Sequence, residues 1–140
     1  MLQELNSIQL AKILKTDKCT RNHFIGIFSR DLIPLKFKYP ACFIMNTQSS
    51  KKPGEHWLAF YYDKNGVCEF FDSYGLHPKF YRLVNYLNRT SKKWSCHVKQ
   101  HQSLFSKSRR YYAFIFLIFR CRNISMKDII LNKKLLNSIF

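Results

Sequence analysis

The sequence predicts an α+β fold with a mixed sheet and a buried central helix. Apolar patterns follow one another in the order helix, strands, helix, strand, helix, helix, without a regular alternation of strand and helix. The polar residues 63–66 (Asp-Lys-Asn-Gly) lie between two apolar runs and predict a tight hairpin. Residues 111–119 are apolar throughout, which is typical of a helix enclosed by protein.

A helix opens the predicted fold. Apolar residues recur at near-helical spacing between Leu5 and Leu14. Asn6 and Ser7 stand near the start of this pattern, and their side chains can accept hydrogen bonds from the N–H groups of a first turn. The pattern therefore predicts a first helix that ends at about Lys15.

Four strands and two loops are predicted next. The strand-like runs are short, apolar and rich in β-branched or aromatic residues, and they cover residues 24–28, 41–46, 56–62 and 67–71. Residues 30–40 contain two prolines, and residues 47–54 contain a proline and a glycine, so both stretches predict loops. The hairpin turn joins the last two strands.

The next segment predicts a second helix and a fifth strand. Pro78 suits the first turn of a helix, and Phe80, Val84 and Leu87 would share one of its faces. Residues 94–99 alternate between apolar and polar side chains, which predicts a half-buried strand.

The last third of the chain predicts a loop and two helices. Residues 101–108 are polar and form the loop, and the central helix spans about residues 109–121. Asn123 or Ser125 caps a last helix, in which Asp128 is favourably placed near the positive end of the helix dipole.

Length and composition predict a single domain over residues 1–140. The chain has the size of one typical domain, and it contains no Gly/Ser linker, internal repeat or low-complexity tract. Its hydrophobic fraction of 46% is enough for a sizeable core, which argues against disorder.

The net charge is strongly positive. Twenty-four lysines and arginines stand against eight aspartates and glutamates, which gives a formal charge of +16. A surface of this kind attracts polyanions, of which nucleic acid is the usual one. The candidate phosphate contacts are Lys92, Lys93, Lys107, Arg109 and Arg110. The alternative interpretation is a solvated basic rim that binds no nucleic acid.

The cysteines and the apolar runs bear on the compartment. The five cysteines include no CxxC pair, so no metal site is expected, and Cys42, Cys68 and Cys96 lie in apolar runs as reduced core residues. The N-terminus lacks a basic stretch followed by an apolar one, so no signal peptide is expected. The apolar run of nine residues at 111–119 falls short of the roughly 20 that span a membrane. These observations predict an intracellular protein without membrane partners.

Two motifs suggest catalytic chemistry. His56 opens one strand-like run in the sequence Gly-Glu-His-Trp, and Asp72 follows the next run in Phe-Asp-Ser-Tyr-Gly. Neighbouring strands joined by the hairpin could bring the two side chains within hydrogen-bonding distance. A carboxylate that orients an imidazole is the base half of a nucleophilic triad.

This arrangement resembles the adenain-type cysteine proteases, which include the adenovirus maturation protease and its relatives in virus-like mobile elements and large DNA viruses. The resemblance extends from about Ile8 to Ile130. It is carried by residues 46–47, 53–60, 71–75 and 102–106. It implies a papain-like, adenain-like fold that is short at the C-terminus and a peptide or protein substrate. It also implies DNA as a possible partner, and a nuclear or virion-associated location. The sequence indicates no cofactor.

The resemblance assigns roles to individual residues. His56 would be the general base, Asp72 would orient its ring, and Gln102 would donate a hydrogen bond to the oxyanion. The family then reads Ser-x-x-Cys-Gly-x-Tyr at the start of the buried helix, with the cysteine as nucleophile. Residues 106–112 read Ser-Lys-Ser-Arg-Arg-Tyr-Tyr, so Arg109 stands at the nucleophile position.

The substitution at the nucleophile position predicts a protease scaffold without peptide-bond cleavage. Arginine stays protonated at any accessible pH and cannot attack a carbonyl. Arg110, where the family has glycine, should hinder close backbone approach. Neither Ser108, Cys96 nor Cys121 is well placed to substitute. Two alternatives remain, namely an active thiol endopeptidase with an unexpected nucleophile and a basic nucleic-acid-binding module on the same scaffold.

Overall fold

The structure is a computed structural model that describes residues 6–48, 56–97, 111–125 and 127–128. Within these ranges the chain forms a five-stranded mixed sheet and three α-helices, which is an α+β arrangement. The fold class predicted from the order of the apolar patterns is therefore confirmed at this level.

The elements follow the predicted order. The α-helices are α1 (Ser7–Thr16), α2 (Val84–Thr90) and α3 (Tyr112–Arg120), and the strands are β1 (Phe24–Ser29), β2 (Ala41–Asn46), β3 (Trp57–Tyr62), β4 (Val67–Phe71) and β5 (Lys93–Cys96). Two short 3₁₀ turns, Arg30–Leu32 and Pro78–Tyr81, lie between them. Each predicted strand overlaps one of the five observed strands.

The first helix begins as the sequence predicts. The Asn6 side chain accepts a hydrogen bond from the Gln9 backbone N–H, and the Gln9 side chain accepts one from the Asn6 backbone N–H, both at 2.9 Å. This reciprocal pair satisfies N–H groups that the first turn leaves without partners. Leu10 and Leu14 are buried and attach the helix to the sheet.

The sheet has an antiparallel centre and parallel edges. Its strand order is β1-β2-β3-β4-β5. Strands β2, β3 and β4 pair antiparallel, whereas β1 pairs with β2 and β5 pairs with β4 in parallel. The two hairpin strands predicted from the turn sequence are therefore neighbours near the middle of the sheet.

The hairpin turn is held by its first residue. Asp63 Oδ1 accepts hydrogen bonds from the N–H groups of Asn65 (2.8 Å) and Val67 (3.0 Å). Gly66 has a φ of 80°, and a Cβ at this position would lie 2.5 Å from a Tyr39 ring carbon. Glycine is therefore required by both the backbone conformation and the close contact.

The sheet is covered on both faces, which explains its continuous apolar strands. Along β2, Cys42 and Ile44 belong to the core on the side of α1 and α3, while Phe43 and Met45 belong to the core on the side of α2. All four side chains are 0% exposed. A strand buried on both faces shows no alternation of polar and apolar residues.

The cysteines agree only in part with the sequence prediction. All five are free thiols, and Cys42 and Cys68 are buried in the two cores. Cys96 is half-buried at the end of β5, so it lies at the border of the core rather than inside it.

The predicted second helix is wrong as one continuous element. The chain forms the 3₁₀ turn Pro78–Tyr81 and then α2, with Arg82 between them in the left-handed conformation at φ 58°. This break changes the direction of the side chains, so Phe80 is 64% exposed, while Leu83 and Leu87 are buried against the sheet. The spacing used for the prediction assumed an unbroken helix.

Helix α3 is enclosed by protein, as its uniform apolar sequence predicts. Residues 111–117 and Phe119 are buried. The phenyl ring of Phe116 stacks on that of Phe71 at a centroid distance of 4.7 Å. Among the described helices, none has both the length and the apolar character needed to cross a membrane.

Hydrogen bonds at the end of α3 show which of the two predicted residues, Asn123 or Ser125, caps the turn that follows. Asn123 is left-handed at φ 61°, and its N–H bonds to the Arg120 carbonyl while that of Ile124 bonds to the Phe119 carbonyl. Asn123 therefore closes α3 in a Schellman motif. The cap of the following turn is Ser125, whose hydroxyl oxygen accepts a hydrogen bond from the Asp128 N–H at 3.1 Å.

Candidate functional site

A hydrogen bond joins His56 and Asp72 at one end of the β3–β4 hairpin. His56 directly precedes β3, and Asp72 directly follows β4. The antiparallel register, in which Ala59 lies opposite Phe71, brings these two strand ends together. His56 Nε2 lies 2.6 Å from Asp72 Oδ1. The contact expected from the sequence is thus present.

The Asp72 carboxylate is fully buried and is surrounded by donors. Its Oδ1 accepts hydrogen bonds from the His56 ring and from the Tyr74 N–H, the latter at 3.1 Å. Its Oδ2 accepts hydrogen bonds from the Leu76 N–H at 3.3 Å and from the Tyr81 hydroxyl at 2.6 Å. Hydrogen bonds of this kind are what make a buried carboxylate tolerable.

A tight turn after β4 directs two of these donors. The Gly75 N–H bonds to the Asp72 carbonyl at 2.9 Å, and Gly75 has a φ of 71°. This geometry folds the backbone back over the carboxylate, so that the N–H groups of Tyr74 and Leu76 point toward it. The Asp-Ser-Tyr-Gly sequence therefore forms a tight turn, and the same turn directs backbone N–H groups to the Asp72 carboxylate.

The pairing fixes which ring nitrogen of His56 carries the proton. An ionised carboxylate only accepts hydrogen bonds, so Nε2 must be the donor toward Asp72. In the neutral ring this leaves a lone pair on Nδ1, the nitrogen that could take a proton from a nucleophile. The His56 side chain is 17% exposed, which leaves part of the ring accessible.

Two tyrosines complete the surroundings of His56, namely Tyr74, whose motif carried no role for it, and Tyr81, which the sequence did not indicate. The Tyr74 ring stacks on the imidazole at a centroid distance of 4.4 Å, and the Tyr81 ring lies at 6.3 Å. Burial, followed by the hydrogen bond to Asp72, raises the pKa of the Tyr81 hydroxyl, which therefore remains a donor. The apolar spacing predicts an α-helix at Tyr81, whereas this residue belongs to a 3₁₀ turn. The direction of its side chain therefore does not follow from the sequence pattern.

The direction of α3 places its beginning at the His56 end of the sheet. The ring of Trp57, at the start of β3, lies 6.0 Å from that of Phe114 near the start of α3. The guanidinium of Arg120, at the end of α3, lies 4.9 Å from the ring of Tyr61 near the end of β3. The helix therefore runs parallel to β3, and its N-terminal end and His56 lie at the same end of the molecule.

Several residues singled out in the sequence lie outside the described residues. These are Gln102, Lys107, Arg109 and Arg110, so the proposed oxyanion donor and the nucleophile position have no described geometry. Lys92 and Lys93 are described, and both are exposed just before and at the start of β5. The structure therefore does not test whether the basic residues share one face.

An open cavity of about 400 Å³ lies beside the candidate site. Its wall includes Ile8 and Ala11 of α1, Ile27 of β1, Asn46 of β2 and Trp57 of β3. Since Trp57 adjoins His56, the cavity reaches the end of the sheet where the His56–Asp72 pair lies.

A second ionic cluster lies near the other end of α3. Glu69 of β4 accepts hydrogen bonds from His97 Nε2 at 2.6 Å and from Arg120 Nε at 2.5 Å. Burial alone would raise the pKa of Glu69. The hydrogen bond from His97 and the charge of Arg120 outweigh burial, so the pKa of Glu69 is lowered. The cluster ties α3 to β4 and to the residue after β5.

Metal binding finds no support in the described part of the chain, where no group of three or more His, Cys, Asp or Glu residues is arranged to hold an ion. No protein-family model matches this chain, and no curated protein matches its sequence. The functional inference therefore depends on the residues and distances given above.

Proposed function

We propose that this chain is an adenain-like cysteine endopeptidase scaffold of a virus or mobile element that has lost peptide-bond cleavage. The single observation that carries the proposal is the His56–Asp72 hydrogen bond of 2.6 Å at the end of the sheet where α3 begins. An imidazole oriented by a carboxylate is the base half of a nucleophilic triad, and a buried helix start is where such a triad holds its nucleophile.

The direction of α3 supports this assignment. A thiol at the N-terminus of a helix is activated by the helix dipole and by a neighbouring imidazole. Residue 109 stands three positions before Tyr112, the first residue of α3, and Phe114 in the first turn of that helix contacts Trp57 beside His56. The chain order of His56, Asp72, Gln102 and position 109 is that of the family it resembles, which we infer to be its origin.

The loss of cleavage follows from the identity of residue 109. An arginine carries a fixed positive charge and has no nucleophilic lone pair at accessible pH. The His56–Asp72 pair then has no thiol to deprotonate. The remaining function in this proposal is binding, within the cell nucleus or a virion, of the peptide segments that the ancestral site cleaved.

The proposal is tested by restoring the family residues. In the Arg109→Cys, Arg110→Gly double variant we expect thiol-dependent cleavage of short peptides, while the parent chain shows none above background. Adding His56→Ala to the double variant should lower kcat/KM by about 10²–10⁴-fold, since the general base is removed. Adding His23→Ala is the matched control and should leave kcat/KM within about twofold, because His23 precedes β1 at the end of the sheet opposite to His56.

Two outcomes would contradict the proposal. Cleavage by the parent chain would show that a nucleophile is present elsewhere. A folded double variant whose new cysteine reacts with a thiol probe but cleaves nothing would show that the residues do not form a catalytic site.

A second candidate function is nucleic-acid binding on the same scaffold. It is favoured by the net charge of +16 and by the exposed pair Lys92 and Lys93, with Lys107, Arg109 and Arg110 as further candidate contacts. A basic surface of this kind binds phosphates through charge and releases counterions.

A further inference from the structure

Two thiols from distant parts of the chain lie in contact. Cys42 is the second residue of β2, and Cys121 directly follows α3. Their sulfur atoms are 3.9 Å apart, although 79 positions separate the residues in sequence. A disulfide bond is about 2.05 Å long, so a bond between them requires an approach of roughly 2 Å.

The two thiols differ in access and in constraint. Cys42 is 0% exposed and pairs with neighbours on both sides in the sheet, opposite Phe24 and Tyr61. Cys121 is half-buried and directly follows α3, outside the sheet. A small oxidant can therefore reach Cys121 first.

The surroundings favour the thiolate on Cys121. The two thiols share a hydrogen bond in which either sulfur can be the donor. This bond, together with the charges of Arg122 and Arg120, lowers the pKa of Cys121 despite burial and the charge of Asp17. The same hydrogen bond, together with burial, raises the pKa of Cys42. The thiolate is the reactive form of cysteine, and Cys121 is also the more exposed of the two thiols, so Cys121 is the nucleophile of the pair.

The other described thiols contrast with this pair. Burial raises the pKa of Cys68, which lies inside the opposite core, and burial likewise raises the pKa of Cys96. Cys19 is half-buried in the turn after α1. A lowered pKa, partial exposure and a neighbouring second thiol together are the features of a redox-responsive cysteine.

We infer that Cys121 and Cys42 are a hydroperoxide-responsive thiol pair that closes into a reversible disulfide between α3 and β2. The Cys121 thiolate attacks one oxygen of the hydroperoxide, the O–O bond breaks, and the departing alkoxide or hydroxide takes a proton to leave as alcohol or water. Cys121 is then a sulfenic acid, two electrons more oxidised.

The second step consumes Cys42. Its sulfur attacks the Cys121 sulfur, the S–O bond breaks, and the Cys42 thiol proton leaves with the hydroxide as water. In sum, two thiols and one hydroperoxide give one disulfide, one alcohol or water from the peroxide, and one water. A dithiol reductant reverses the change. The pair lies at the end of α3 remote from His56, so this inference does not depend on the proposed protease origin.

The test is the identity of the disulfide in the full chain. The purified protein is treated with one equivalent of hydrogen peroxide, alkylated, and mapped by mass spectrometry without reduction. We expect a Cys42–Cys121 linked peptide from the monomer, which dithiothreitol removes. The Cys96→Ser variant is the matched control and should give the same yield, whereas Cys121→Ser should give none.

The intermediate provides a second readout. In Cys42→Ser, with folding checked by circular dichroism, dimedone should label Cys121 at least several-fold more than in the parent, because no thiol resolves the sulfenic acid. If the parent instead shows Cys121 linked to Cys19, linked between chains, or oxidised while Cys42 stays free, the inference is wrong. The parent map alone decides this if the Cys42 variant fails to fold.

Discussion

The carboxylate of Asp72 is the residue on which the candidate site depends. It lies fully buried, and it receives hydrogen bonds from His56, Tyr74, Leu76 and Tyr81. Its position is therefore fixed by several groups, and His56 is oriented by a rigid partner. His56 and Tyr81 both come from outside the turn after β4, His56 from just before β3 and Tyr81 from the 3₁₀ turn before α2.

Replacing Tyr81 by phenylalanine should destabilise the protein. The change removes the hydroxyl that donates to Asp72 Oδ2 and leaves a buried charged acceptor with one donor fewer. Hydrogen bonds to charged groups are worth about 1.5–3 kcal/mol, so the free energy of unfolding should fall by about 2 kcal/mol in urea denaturation. Tyr86→Phe is the matched control, because it removes a hydrogen bond to the neutral Pro34 carbonyl and should cost only about 1 kcal/mol. Equal losses would argue that Tyr81 has no special role.

The residues also show what could be foreseen from the sequence. His56 and Asp72 were found because the strand pattern and the turn at 63–66 set the register of one hairpin. Tyr81 was not foreseeable, since its direction depends on the left-handed conformation of Arg82. Arginine seldom adopts a positive φ, so no local sequence preference predicts the left-handed conformation of this residue.

At the scale of elements, α3 connects the two ends of the sheet. It was predicted well because nine apolar residues in succession leave few alternatives to a buried helix. Near its end, Arg120 shares Glu69 with His97. This cluster was not predicted, because the three residues come from three segments whose relative positions depend on tertiary packing.

The Glu69 cluster should make stability depend on pH. The pKa of Glu69 in the folded state lies below its ordinary value of 4.5, so its contribution is present above about pH 5 and is lost as the pH falls through the folded-state pKa. We expect Glu69→Gln to lower the free energy of unfolding by about 2 kcal/mol at pH 7 and by less at pH 3.5, measured by urea denaturation. A loss that is the same at both pH values would show that the carboxylate charge is not the cause.

At the scale of the whole molecule, positive charge is the dominant property. The net charge of +16 follows directly from the sequence, whereas its distribution over the surface depends on the fold. Lys92 and Lys93 are adjacent and exposed, and Lys36 and Lys38 form another exposed pair in the loop before β2. Substituting one pair or the other makes the same change in net charge at two places on the surface. A local contribution to nucleic-acid binding can thus be distinguished from a contribution of net charge.

The second candidate function predicts a defined salt dependence. If Lys92 and Lys93 contact phosphates, Lys92→Glu with Lys93→Glu should reduce the slope of log affinity for duplex DNA against log salt by about 2. The matched variant Lys36→Glu with Lys38→Glu makes the same change in net charge and should leave the slope nearly unchanged. Equal reductions in both variants would assign any binding to charge alone, and a slope near zero in the parent would remove this function.

The buried residues of α3 and the residues that precede this helix would be under different kinds of selection. Selection for foldability acts on its interior side chains, which are buried at residues 111–117 and at Phe119. Selection for proteolysis would act on position 109, upstream of that packed stretch. On the proposed protease origin, a lineage that no longer cleaves peptides can accumulate changes ahead of Tyr111 while the hydrophobic interior is still maintained, so homologous copies should diverge sharply at that boundary.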